Sequence, residues 1–159
     1  MTTFQRLRTS LLAGLVALFA GIATADASDS VMYTRKGATY EDVRADLESA
    51  IIKEGLKIDY TGNIAGMLQR TGPDVGSNQP VYQNAEFFTF CSAKLSRAMM
   101  EADPANMAQC PYVVFMYQRA ATVKEVTVGY RKVAVAGRGA KTLEEINKLL
   151  DRVVKAATK

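Results

Sequence analysis

The chain has 159 residues, 20 lysines and arginines against 16 aspartates and glutamates, two cysteines and no histidine. Without an imidazole there is no Ser-His-Asp triad, no Cys-His pair and no zinc site with histidine ligands. Covalent haem attachment through C-x-x-C-H and thiol exchange through C-x-x-C are excluded as well, because the cysteines stand at 91 and 110.

The N-terminus, MTTFQRLRTSLLAGLVALFAGIATADAS, has the three-part grammar of a secretory signal peptide. Arg6 and Arg8 precede an apolar run from Leu11 to Ile22, and small residues then offer cleavage after Ala25 or Ala27. That run falls short of the roughly 20 residues a membrane span needs. No cysteine follows the small residues, so a lipoprotein anchor is excluded. The expectation is removal of residues 1–25 and a single domain over 26–159, in the periplasm or secreted. Removal takes two of the 20 basic residues and no acid, leaving 18 against 16. A near-neutral chain without a basic run gives no reason to expect nucleic acid or anionic membrane as a partner.

In the remaining chain, Ser30–Lys36 reads as a strand. Thr39 caps a helix with Glu41 and Asp42 in its first turn. Tyr40, Val43, Leu47, Ala50 and Ile51 carry its apolar stripe, and Gly55 stops it. Leu56–Tyr60 alternates apolar and polar and is expected to be a strand. Asn63–Arg70 suits a short helix, and Thr71–Pro80 (TGPDVGSNQP) is loop by composition. Tyr82–Phe90 is an aromatic strand, with Phe88 and Phe90 on one face and Phe87 on the other.

Ser92–Ala102 is expected to be a helix ended by Pro104. Tyr112–Gln118 is apolar enough for a central strand, and Glu125–Ala136 alternates like another. After a turn at Gly137–Gly139, the sequence T-L-E-E from Thr142 offers a capping box for a helix reaching Ala157. Its stripe is Leu143, Ile146, Leu150, Val153 and Ala157. Gly137–Thr142 lacks the spacing of a phosphate loop and reads as a turn with a cap. The order implies an α+β fold, with helices covering one face of a mostly antiparallel sheet.

Three blocks now fall in a recognisable order: TRKGATYEDVRADLESAIIKEGLKI, FFTFCSAKLSRAMMEADP and AQCPYVVFMYQ. Together, over about Tyr33 to Ala136, they resemble the family called domain of unknown function 302. The matching features are Cys91 after an aromatic strand, the helix ending Glu101-Ala102-Asp103-Pro104, and Cys110 before an apolar strand. Ser92-Ala93 stands where the family often has Asn-Pro, and the Thr71–Pro80 loop is longer than usual. The resemblance implies a curved sheet with two main helices, similar to the TATA-binding-protein arrangement and often dimeric. It implies no activity.

The cysteines admit three readings. If the flanking strands run antiparallel, Cys91 and Cys110 meet at one sheet edge. In an oxidising compartment such a pair is ordinarily a disulfide, here closing a 20-residue loop. The second reading is a periplasmic thiol protein for sulfur transfer or disulfide exchange: Cys91, near a helix N-terminus and Lys94, attacks, and Cys110 resolves. The third is copper(I) held by Cys91, Met100, Met107 and Cys110. Met99, with Leu95 and Ala102, reads as core stripe.

The leading expectation is a non-enzymatic, exported binding domain, stapled by Cys91–Cys110, for an unknown small molecule or exported protein. Its ligand site is expected near the staple and the Thr71–Pro80 loop, with Phe88, Phe90, Ser92 and Lys94 as candidate contacts. No cofactor is implied. Homodimerisation through a sheet or helix face is compatible with every reading.

Overall fold

The computed structural model describes residues 29–122 and 124–159. The signal-peptide reading lies outside the described residues. Five strands form one open antiparallel sheet: β1 (Ser30–Lys36), β2 (Tyr60–Asn63), β3 (Tyr82–Phe90), β4 (Tyr112–Arg119) and β5 (Glu125–Arg131), in the order β1-β5-β4-β3-β2. The apolar strand β4 is central, as its composition demands. Its residues alternate between fully and partly buried, so only one face of the sheet is covered.

That cover comes from α1 (Tyr40–Lys53), α3 (Ala93–Ala102) and α4 (Ala140–Ala157). Val43, Leu47 and Ile51 of α1 and Leu143, Ile146, Leu150 and Val153 of α4 are buried in one core. They meet Phe88, Phe90, Val114, Met116, Val126 and Val128 from the sheet. A short helix, α2 (Ile64–Thr71), sits at the β2 edge, capped by Asn63, whose Oδ1 accepts from the Gly66 N–H.

Thr39 caps α1 as expected, its hydroxyl accepting from the Asp42 N–H, and Gly55 has the positive φ of a helix stop. Three boundaries differ from the sequence reading. The strand expected over Leu56–Tyr60 begins only at Tyr60. Leu56 and Ile58 instead pack against the core as an extended link, and the ladder with β3 starts at the Tyr60–Thr89 pair. The last strand ends at Arg131 rather than Ala136, because the chain leaves β1 there. Val133 then binds the side-chain amide of Asn147 through both its N–H and its C=O. Finally, α4 starts at Ala140, with Gly139 at its cap in a left-handed conformation, so the capping box at Thr142 lies inside the helix.

The uncovered face carries Met32, Phe87, Val113, Phe115, Tyr117 and Tyr60. Two glycines let aromatic rings lie flat on it: a Cβ at Gly62 would meet the Phe87 ring, and one at Gly129 would meet Phe115 and the Val31 carbonyl.

Candidate functional site

A cleft of about 720 Å³ opens between α1, the start of α2, the Ser77–Val81 loop and the first half of β3. Strand periodicity builds its floor. Phe88 and Phe90 point to the helices and are fully buried, so Glu86, two residues earlier, points the same way at the margin of that cover. On α1, Tyr40 and Arg44 stand one turn apart and reach the same spot.

The Arg44 Nε donates to Glu86 Oε2 at 2.7 Å, and the Tyr40 hydroxyl donates to that oxygen at 3.4 Å. Arg44 is held further by Glu48 at 2.9 Å, and its guanidinium lies 5.5 Å from the centre of the Phe88 ring. The Glu86 carboxylate raises the Arg44 pKa. Burial, reinforced by Glu86, raises that of the Tyr40 hydroxyl. Both groups therefore remain donors at any physiological pH. The rest of the wall is rich in side-chain amides: Asn63, Gln69, Asn78, Gln79, Gln83 and Asn84.

The cysteines form a second constellation. Because β3 and β4 pair antiparallel, with Phe90 opposite Tyr112, Cys91 and Cys110 follow and precede that pair. Their sulfurs lie 3.0 Å apart, as free thiols. Ser96 of α3 lies 3.4 Å from the Cys110 sulfur and 2.9 Å from the Tyr112 hydroxyl.

Burial pushes the Cys91 thiol up to about 11, with the neighbouring Cys110 adding to the shift. The cause is local. Ser92, not Cys91, is the helix cap, its hydroxyl accepting from the Leu95 N–H, so Cys91 sits outside the ring of free N–H groups. Lys94 is exposed and is not among the groups acting on that thiol. An activated thiolate at Cys91 is therefore unsupported.

The other sequence candidates scatter. Phe88 and Phe90 have no exposed surface and serve the core, although Phe88 underlies Arg44. Met100 packs against the core and Met107 is exposed on the short helical turn Pro104–Gln109. No group of three or more acidic, cysteine or histidine side chains among the described residues could hold a metal ion.

The cleft reaches the expected loop, through Ser77–Pro80, but not the sulfur pair. Tyr40, Arg44 and Glu86 were missed by sequence reading. Arg44 looked like one more solvated charge on a helix, and Glu86 was a lone carboxylate inside an aromatic strand. That second anomaly was the available signal.

A family model described as "Domain of unknown function DUF302" matches residues 32–158. The crystal structure of an uncharacterized conserved DUF302 protein from Bacillus stearothermophilus has the same fold. It aligns with a TM-score of 0.63 and 14% sequence identity, over 79% of this chain and 97% of that one. None of the curated proteins matches.

Proposed function

Starting from the membership of this chain in the DUF302 family, a premise that brings a fold and no activity, we propose that it is an exported binding domain. Its ligand is a small molecule or a protein segment held in the cleft between α1, α2 and β3. A Cys91–Cys110 disulfide staples the far end of the β3–β4 pair. The cleft carries this reading: about 720 Å³ lies within the range of ligand sites. At its inner end sit an arginine, a carboxylate and a protonated tyrosine hydroxyl, already aligned on one another. Export rests on the leader-like residues 1–25.

A thermal-shift screen of polar solutes and short peptides tests it. A ligand at a hundred times its Kd adds about 2.7 kcal/mol of apparent stability. The expected hit raises Tm in the native protein and much less in Glu86→Gln, which keeps the shape but removes the charge that holds Arg44. Replacing both cysteines by serine should leave the shift in place. A hit insensitive to Glu86→Gln but abolished by Cys91→Ser alone would transfer the function to the thiols.

The same proposal includes a homodimer. Its support is the uncovered sheet face, on which Met32 is 49% and Tyr60 61% exposed, flanking partly buried Phe87, Phe115 and Tyr117. A two-fold axis would lay this face against its own copy. Light scattering should give twice the chain mass for the native protein and the single mass for Met32→Glu. A monomeric native protein at tens of micromolar removes the dimer from the proposal.

A further inference from the structure

The floor of the cleft is also a sheet edge. β2 pairs with β3 only from Glu86 to Thr89, whereas β3 pairs with β4 along its length from Tyr82 to Phe90. Among the described residues, the outer side of Tyr82–Ala85 therefore has no strand beside it, and all four of these residues line the cleft. At about 3.4 Å per residue this edge runs about 14 Å, enough for four residues of an extended chain.

Proteins ordinarily blunt a free edge with charge, proline or a covering segment. The opposite edge follows that rule, since β1 carries Arg35 and Lys36. Tyr82–Ala85 (YQNA) has neither charge nor proline. Instead α2, which packs against β3, and the Ser77–Val81 loop wall the cleft beside it. The register also slips between Tyr82 and Asn84, so Gln83 is an extra residue on this strand. Such a bulge bends the edge and increases its twist.

The amides add a chemical argument. Gln69, Asn78 and Gln79 on the walls each carry a donor and an acceptor, the same pair that a peptide group presents.

We infer that the cleft takes an extended peptide, which adds to the free edge of β3 at Tyr82–Ala85 as a further strand. The inference rests on the cleft reading above and deepens it by naming the ligand class. Main-chain hydrogen bonds to the edge supply affinity. The wall amides read the outer side of the incoming backbone, and Arg44 and Glu86 select polar side chains at its inner end.

The test uses the full chain as purified from cells and a phage-displayed library of random heptapeptides. A selected peptide is resynthesised with N-methyl groups at alternate backbone nitrogens, in the two possible phases. A strand-adding peptide should lose at least tenfold in affinity in one phase and about twofold or less in the other, because only alternate N–H groups face the edge. Amide exchange at residues 82–85 should slow when the unmodified peptide binds.

Equal tolerance of both methylation phases would overturn strand addition. So would small solutes that bind through Glu86 when no peptide is selected, and in either case the cleft reading survives. Protection of 82–85 that grows with protein concentration and needs no peptide would put a second copy on the edge and also overturn it. If nothing at all binds the cleft, both readings fall.

Discussion

Reducing the protein should lower its melting temperature by roughly 10 °C. The sulfurs of Cys91 and Cys110 lie 3.0 Å apart at the joined ends of β3 and β4, so a bond between them needs little rearrangement. Closing a loop of about 20 residues restricts the unfolded chain by an amount equivalent to roughly 3 kcal/mol. For a domain of this size each kcal/mol moves Tm by some 3–5 °C. The Cys91→Ser, Cys110→Ser variant should melt with the reduced form.

Chemistry supplies a second readout. Alkylation of the protein isolated from an oxidising compartment should add no label before reduction and two labels after it. The pH dependence differs as well. In the dithiol, Cys91 titrates at about 11 instead of 9.0, so the folded state holds that proton more tightly than the unfolded one. The stability this contributes is fully present below pH 9 and is lost as the pH rises through about 11. The disulfide has no such proton. The gap between oxidised and reduced stability should therefore widen from pH 9 to 11. Two labels without reduction, together with equal Tm values, would remove the staple from the proposal.

The second large effect is expected from Phe88→Ala. Phe88 and Phe87 are adjacent in sequence and identical in type, yet the strand sends them to opposite faces. Phe88 is fully buried among the helices and supports the Arg44 guanidinium from below. Removing it should cost about 3–5 kcal/mol through lost transfer energy and the cavity left behind. That is a large part of the total stability of an ordinary domain.

Phe87 lies on the uncovered face over Gly62, its ring 5.8 Å from that of Tyr60. At concentrations too low for the chain to pair, its removal leaves no enclosed cavity, and a cost of about 1–2 kcal/mol is expected from lost apolar burial. Urea titration of both variants checks the difference through their midpoints, provided the slopes agree. Equal losses would mean that the second face is covered too, by a partner copy for instance. Affinity for a cleft ligand should fall in Phe88→Ala and stay unchanged in Phe87→Ala, because Phe88, unlike Phe87, lies under Arg44.

Most of the elements were legible in the sequence because their signals are local. The aromatic alternation of Tyr82–Phe90, the apolar run at β4, the Thr39 cap with Gly55, and the stripe from Leu143 to Ala157 each lie within one element and obey one period. The cysteine encounter was legible only conditionally, since it follows from antiparallel pairing of β3 with β4, which composition does not state.

Other features were decided by tertiary structure. β2 forms at Tyr60–Asn63 and not at Leu56–Tyr60 because a strand exists only where a neighbour supplies its hydrogen bonds, and β3 does so from Thr89 back to Glu86. The helix α4 begins at Ala140, capped by Gly139, rather than at the stronger capping sequence, because a glycine there can take a positive φ and turn the chain in beside Asn106.

The cleft is the clearest case. Arg44 and Glu86 stand 42 positions apart, and each looks ordinary in its own segment. Their meeting exists because α1 lies over β3, and the free strand edge beside them because β2 pairs with β3 only from Glu86 to Thr89. Sequence periodicity records which face a residue takes; which other residue waits there is settled only when the strands and helices have chosen neighbours.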